Sequence, residues 1–234
     1  MSRPLESIRR RIVACTRCPE LRRYCARVAR VRKREFAGFT YWGRPVPGLG
    51  AADAELLIVG LAPAAHGGNR TGRMFTGDGS AAWLAPALFR AGFATQPLSV
   101  QAGDGFELRN AFMTAALRCA PPKNKPTVRE LRNCAEHMRA ELDALERVRV
   151  VIALGKIAFD TILARLRERG YQVPRPKPRF AHGAEYRLEA DGAPALKVIA
   201  SFHPSRQNTN TGKLTRAMLD GVFRRARAAL RSSA

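Results

Sequence analysis

The sequence has few acidic residues, few aromatic residues and no long apolar run. Its 234 residues include 19 Asp and Glu, and aromatic residues make up 7% of the chain. No stretch of about 18 apolar residues occurs, which excludes an ordinary transmembrane helix. The basic start, Met1 to Arg11, has no apolar segment behind it, so we expect no secretory signal. A hydrophobic content of 46% still predicts a folded chain with a core.

The shortage of acidic side chains leaves a formal net charge of +22. Such an excess favours a polyanionic partner such as DNA or RNA. Of the 41 basic residues, 34 are Arg and only 7 are Lys, and a GC-rich genome alone can produce that bias. Residues 1–34 hold 12 basic residues against Glu6 and Glu20. The basic helical segment 1–36 is therefore our candidate for a phosphate-binding surface, with a solvated helix face as the alternative.

Cysteine is present in an odd number, five, which without a secretory signal predicts a reducing compartment rather than a disulfide framework. Cys15 and Cys18 form a close pair, and Cys119 and Cys134 form a wider one. Paired thiols from distant parts of the chain indicate a metal or cluster site, and ordinary buried thiols are the alternative. The wide second pair suits a zinc ribbon poorly, whereas an iron–sulfur cluster accepts irregular spacing. Cys25 is left over and is interpreted as structural.

Four short apolar runs alternate with helical patterns along most of the chain. The runs cover residues 55–60, 112–118, 149–154 and 195–201, and the helical patterns cover 80–91, 127–146, 156–169 and 214–230. Continuous apolar runs are typical of strands buried on both faces, so we predict a parallel sheet covered by helices. Thr127 and Glu130 predict a capping box, and Pro86 is expected to kink or shorten its helix. We expect one domain over 1–234.

Polar turns that contain proline follow three of the four predicted strands, at 61–67, 118–124 and 201–205. Ligands bind outside the carboxyl ends of parallel strands, so these turns predict an active site. His203 is the strongest histidine candidate, because a neutral imidazole held before Pro204 can donate to a developing anion. A structural histidine is the alternative. His66 also follows a strand and is a second candidate.

Asp78 and Phe75 lie just before the first predicted long helix. Asp78 is interpreted either as a plain N-cap or as a carboxylate that positions water or stabilises a cationic sugar. Phe75 offers an aromatic face to a base, or else belongs to the core. The glycines of 67–72 have the spacing of a P-loop, but Arg73 and Met74 replace its Lys and Ser or Thr. A phosphate-handling enzyme is therefore only a weak third hypothesis.

Four blocks, 60–67, 69–78, 120–126 and 203–215, closely resemble the family-5, or type B, uracil-DNA glycosylases. The resemblance implies an α/β fold, a three-layer α/β/α sandwich with a central four-stranded parallel sheet. It implies hydrolysis of the N-glycosidic bond of uracil, and of other deaminated or modified bases such as hypoxanthine and ethenocytosine, in DNA. Base flipping precedes that step, which starts base excision repair. It also implies a [4Fe–4S] cluster held by Cys15, Cys18, Cys119 and Cys134.

The resemblance implies a role for each matching residue. Asp78, Asn124 and His203 are catalytic, with Asp78 replacing the polar residue that the first block lacks. Phe75 stacks on the flipped base, and His203 donates to the base oxygen that gains charge. The base-binding set is Ala62, Pro63, Ala64, His66 and Phe75. The DNA-binding set is Asn69, Arg70, Pro204, Ser205, Arg206, Gln207 and Asn208.

These inferences predict a monomeric, cytoplasmic, nucleoid-associated enzyme that does not bind membranes. Its partner is double-stranded DNA with a damaged base, and single-stranded DNA is a second form of the substrate. The alternative is a non-catalytic iron–sulfur or zinc protein that binds damaged or single-stranded DNA.

Overall fold

The computed structural model describes residues 3–232. Met1, Ser2, Ser233 and Ala234, which the predicted domain over 1–234 includes, lie outside the described residues. The helices are α1 (Arg3–Val13), α2 (Pro19–Val31), α3 (Gly68–Thr71), α4 (Ala81–Arg90), α5 (Val128–Ala144), α6 (Lys156–Glu168), α7 (Arg206–Asn210) and α8 (Arg216–Ser232). The strands are β1 (Leu49–Gly50), β2 (Leu56–Gly60), β3 (Ala111–Ala115), β4 (Val150–Leu154), β5 (Glu185–Ala190) and β6 (Ala193–Ser201).

The strands form one six-stranded sheet in the order β1-β3-β2-β4-β6-β5. The four central strands are parallel, and every residue of β2, β3 and β4 is buried. The predicted four-stranded parallel sheet is therefore confirmed. Two antiparallel edge strands, β1 and β5, extend it, because each hydrogen-bonds the outer side of a parallel strand.

Successive residues of β2 serve opposite faces of the sheet. Leu57 and Val59 join a core beneath α1, α5 and α6, whereas Leu56 and Ile58 join a core beneath α4 and α8. This alternation follows from the two-residue period of a strand, and it gives three layers. No helix in the described part of the chain has the length and apolar character needed to cross a membrane.

The capping signal of α5 behaves as predicted, whereas Pro86 does not shorten α4. The Thr127 hydroxyl accepts from the Glu130 amide at 3.2 Å, and the Glu130 carboxylate accepts from the Thr127 amide at 2.7 Å. The capping box is thus confirmed. The expected shortening at Pro86 is wrong, because α4 continues to Arg90. The carbonyl that loses its partner belongs to Ala82, an exposed residue that water can reach.

Candidate active site

The turns predicted to form the site begin at one edge of the sheet. Gly60 at the end of β2 pairs with Ala115 of β3, and Leu154 of β4 pairs with Ser201 at the end of β6. Because these strands are parallel, the segments that follow them leave the same edge. The structure therefore places the 61–67, 116–124 and 202–205 segments together at the carboxyl end of the sheet.

Phe75 packs directly on the end of β2. A Cβ atom added to Gly60 would lie 2.5 Å from the Phe75 ring, so a larger residue would displace the ring. The backbone of Phe75 has a φ of +46°, which is rare for an aromatic residue and indicates backbone strain at this position. Its ring centroid lies 5.9 Å from that of His203, with 32° between the ring planes. The structure thus brings two of the predicted site residues into contact.

The backbone carbonyl of His203 accepts two hydrogen bonds. Its carbonyl accepts from the Ser205 amide and from Asn208 Nδ2, each at 2.8 Å. Burial lowers the pKa of His203 to about 4, so the ring is neutral at pH 7 and carries one N–H. Asn208, which we predicted as a DNA contact, therefore also positions the histidine.

Asp78 combines the two roles that the sequence left open. Its Oδ1 accepts from the Ala81 amide at 2.9 Å and caps α4. Its Oδ2 lies against Gly67, where an added Cβ would overlap the carboxylate. Burial raises the pKa of Asp78, whereas the Ala81 amide and Arg206 act in the opposite direction. One carboxylate oxygen thus holds the helix while the other faces the loop after β2.

Asn69 and Arg70, which we predicted as DNA contacts, are both buried in the structure. Asn69 is 1% exposed, and its Nδ2 donates to the carbonyls of Cys25 and Ala65. Arg70 is 5% exposed; Nε donates to the His66 carbonyl at 2.8 Å and an Nη to the Gly77 carbonyl at 2.9 Å. Both side chains therefore donate hydrogen bonds to backbone carbonyls and stabilise the loops that carry the site.

Aromatic residues that the sequence did not single out support the same loops. The Arg70 guanidinium packs 4.2 Å from the ring centroid of Phe36 and 5.2 Å from that of Phe39. The Tyr41 hydroxyl lies 3.0 Å from His66 Nδ1 and accepts from the Lys33 amide. Burial lowers the pKa of His66, and nearby Lys33 adds to the effect. These contacts join segments that are distant in the chain, and no local pattern identifies them.

The 204–210 segment forms one side of the site. Pro204 is buried, Ser205 is half-buried, and Arg206 and Gln207 are exposed. A Cβ atom on Gly79 would lie 3.3 Å from Arg206 Nε, so this side chain lies across the residue next to Asp78. Arg206 is therefore a predicted DNA contact that lies beside the loop that carries Asp78.

The four cysteines of the predicted cluster site line one small cavity, and Cys25 does not line it. N–H groups lie near three of the sulfurs: the Arg118 amide 3.3 Å from Cys134, Asn133 Nδ2 3.4 Å from Cys18, and an Arg22 Nη 3.9 Å from Cys119. Among residues 3–232, no three Cys, His, Asp or Glu side chains surround one point as a single metal ion requires. Cys25 is fully buried, and its thiol lies 3.5 Å from the Ala120 carbonyl.

Sequence comparison adds the decisive observation. A family model described as the Uracil DNA glycosylase superfamily matches residues 47–227. The chain is 48% identical over 216 residues to the Type-5 uracil-DNA glycosylase of Thermus thermophilus, covering 92% of this chain and 94% of the relative. It is 47% identical over 218 residues to that of Pyrobaculum aerophilum, with coverages of 93% and 90%. The Type-4 uracil-DNA glycosylase of Archaeoglobus fulgidus is 29% identical over 161 residues, with coverages of 68% and 70%.

The chain belongs to the uracil-DNA glycosylase superfamily. The prediction of a uracil-DNA glycosylase, and hence of an enzyme that acts on DNA, is confirmed at the level of the family. Within this glycosylase fold, the loop after β2 has no polar side chain at its first positions. Ala62 and Ala64 are half-buried and Pro63 is buried, and the Ala64 carbonyl accepts from the amides of Gly67 and Asn69.

Asn124, the third predicted catalytic residue, lies on the segment that follows β3 at the same edge of the sheet. It is exposed, and its side chain has no hydrogen-bond partner within the described ranges. Lys123 and Asn124 have φ values of +54° and +55°, two successive left-handed residues that are both uncommon outside glycine. The turn is fixed by hydrogen bonds from the Asn124 and Lys125 amides to Pro121 and Pro122.

Proposed function

We propose that this protein is a DNA glycosylase that hydrolyses the N-glycosidic bond of uracil after rotating the nucleotide out of the duplex. The observation that carries the proposal is the grouping of Phe75, His203 and Asp78 at the carboxyl edge of the sheet. Phe75 lies on Gly60 and beside His203, and Oδ2 of Asp78 faces the loop that follows Gly60. Flipping is required because the target bond is inaccessible in a stacked duplex.

The reaction separates charge, and the site offers a group for each charge. The glycosidic bond breaks with its electron pair going to the base, which becomes an anion, while the sugar becomes cationic. The neutral imidazole of His203 donates its N–H to the base oxygen that gains charge. The Asp78 carboxylate stabilises the cationic sugar and orients water. Water adds its oxygen to the sugar and releases one proton, and the anionic base takes up one proton, so the products are an abasic site and free uracil.

We propose a broad choice of bases, including hypoxanthine and ethenocytosine, on the chemistry of the loop after β2. Ala62, Pro63 and Ala64 offer no side-chain amide or carboxylate to read the edge of a base. A binding site rejects a wrong base when that base leaves polar groups of the site unpaired. A site with fewer polar groups therefore discriminates less between bases. Phe75 stacks on any base, since every base has a π-face.

The catalytic proposal is tested by replacing Asp78 with Ala. We expect excision from a uracil-containing duplex to fall at least about 10²-fold, because the charge that stabilises the transition state is removed. Binding to the same duplex should survive. The measurement is single-turnover base release, read as strand breaks after alkali treatment, together with a binding titration.

The matched control is Asp53→Ala, since Asp53 is exposed and has no role in the site. Excision at the wild-type rate by Asp78→Ala would remove Asp78 from the mechanism. Wild-type protein that binds uracil DNA but yields no alkali-labile site would favour the non-catalytic DNA-binding alternative.

We also propose that Cys15, Cys18, Cys119 and Cys134 hold a 4Fe–4S cluster. A four-iron cluster contacts each cysteine through a different iron, so it suits sulfurs that surround a cavity rather than a point. Arg118 lines this cavity, and its Nε is buried without a partner in the described residues. The cluster would be structural, joining the α1–α2 connection to the loop after β3 and to α5. It takes no part in the hydrolysis.

The cofactor proposal predicts about four iron and four acid-labile sulfide per chain, with a brown colour. Protein purified under anaerobic conditions is analysed for iron, sulfide and zinc. The control is Cys25→Ala, which removes a cysteine outside the cavity and should keep the full iron content. Zinc without sulfide would reassign the cavity to a zinc site.

Double-stranded DNA is the proposed substrate, with single-stranded DNA as a second form, and one chain carries all the proposed catalytic residues. We therefore propose a monomer that acts on chromosomal DNA in the cytoplasm.

A further inference from the structure

One buried side chain of the cysteine-lined cavity has no role in the fold or in the proposed hydrolysis. His137 lies on α5, three residues after Cys134, and lines the same cavity as the four cysteines. The residue is 8% exposed. Its Nε2 is buried and has no hydrogen-bond partner in the part of the chain that the structure describes.

A buried ring nitrogen without a partner is costly, so His137 requires an explanation. Leaving a buried polar group unsatisfied costs roughly 1–3 kcal/mol, which a core position filled by Leu or Met would avoid. The neighbouring polar side chains offer little to an N–H donor. Arg17, Arg22 and Arg118 carry only donors, and the Asn133 amide nitrogen is directed to the Cys18 sulfur. The acceptors that line the cavity are the cysteine sulfurs and the side-chain amide oxygen of Asn133.

The four cysteine sulfurs differ in whether an N–H donor lies nearby. Cys18, Cys119 and Cys134 each have an N–H group nearby, whereas the Cys15 sulfur has none among residues 3–232. A bound cluster would add its own inorganic sulfides to the cavity. Thiolate and sulfide sulfurs carry negative charge, and hydrogen bonds to them help to set the potential of a cluster.

We propose that His137 is a positioning residue that donates its Nε2–H to a sulfur of the cluster, either the Cys15 thiolate or an inorganic sulfide. This inference rests on the proposed 4Fe–4S cofactor. The hydrogen bond stabilises the cluster in its cavity and makes its reduction potential less negative. It takes no part in base excision.

The test compares His137→Met with His137→Gln. Met fills the space without a donor, whereas the Gln amide nitrogen occupies about the position of Nε2. We expect His137→Met to lose its cluster to a chelator about tenfold faster, in line with other outer-shell changes at metal sites, and to have a more negative reduction potential. His137→Gln should stay close to the wild type in both. Met138→Leu, a buried change at the next residue of α5 that lies in the core beneath the sheet, controls for lost packing.

A second measurement tests the contact between the histidine and the cluster directly. Wild-type protein labelled with ¹⁵N-histidine is reduced, and pulsed EPR of the cluster should detect a histidine nitrogen, a signal that His137→Gln abolishes. If the wild type holds iron and sulfide but shows no such coupling, and His137→Met matches the wild type in potential and cluster loss, the inference is overturned. If the wild type holds no iron or sulfide, the proposed cofactor falls first and the inference with it, whereas uracil excision is scored separately.

Discussion

Gly67 occupies a position where a side chain would collide with the Asp78 carboxylate. A Cβ atom there would overlap Oδ2, and it would lie 2.8 Å from Cγ. The other oxygen, Oδ1, is already held by the Ala81 amide at the start of α4. The carboxylate therefore cannot rotate away without losing its cap. At the scale of single residues, the position of the Asp78 carboxylate therefore depends on Gly67, a residue of another loop that has no side chain.

Gly67→Ala should impair excision without removing any polar group from the site. The added methyl must displace Asp78 or the loop by about 1 Å, and such a misplacement can cost about 10²-fold in rate. The measurement is single-turnover excision from a uracil-containing duplex, with duplex affinity measured in parallel and expected to change little. Gly38→Ala is the control, because nothing lies within 4 Å of a Cβ atom at that exposed position. A wild-type rate for Gly67→Ala would contradict a requirement for this carboxylate position.

At the scale of elements, the central strands were predictable, and so was the edge hairpin of β5 and β6 around Asp191 and Gly192, whereas the edge strand β1 was not. Residues of β2 and β4 face helices on both sides of the sheet, so both strands are apolar without interruption. Such an apolar run can be recognised from the sequence alone. β1 is only two residues long, and its pairing with β3 depends on a contact across sixty residues of chain. The prediction that Pro86 shortens α4 was wrong for a related reason, because a helix can continue past a proline when water reaches the carbonyl that has lost its partner.

The site shows the same division between local and long-range information. The motif blocks identified Phe75, Asp78 and His203, which the structure brings to one edge of the sheet. They also predicted Arg70 as a DNA contact, although its guanidinium donates to two carbonyls and packs on two aromatic rings. Phe36, which packs on Arg70, comes from the segment after α2. A block of residues indicates which side chains matter but not what each one touches, because the partner lies elsewhere in the chain.

At the scale of the whole molecule, the excess positive charge is unevenly neutralised. Acidic side chains pair with Arg139 and Arg169 on one side of the sheet and with Arg90 on the other. Arg27 and Arg30, on the exposed side of α2, have no acidic partner among the described residues. The chain after α2 runs to Phe36, which packs on Arg70 beside the site. We therefore expect the end of α2 to follow DNA phosphates that flank the flipped nucleotide.

Replacing Arg27 and Arg30 together with Gln should weaken duplex binding and reduce its dependence on salt. Each lost phosphate contact lowers the slope of log affinity against log salt by about 0.9, so the pair should lower it by about 2. The matched control is Arg224→Gln with Arg231→Gln, which removes the same charge from exposed positions of α8. The end of α8 lies at the opposite edge of the sheet, where the Leu230 carbonyl accepts from Arg149 just before β4. The measurement is duplex affinity between low and physiological salt. Equal changes of slope in the two double variants would mean that net charge alone, and not the surface of α2, governs DNA binding.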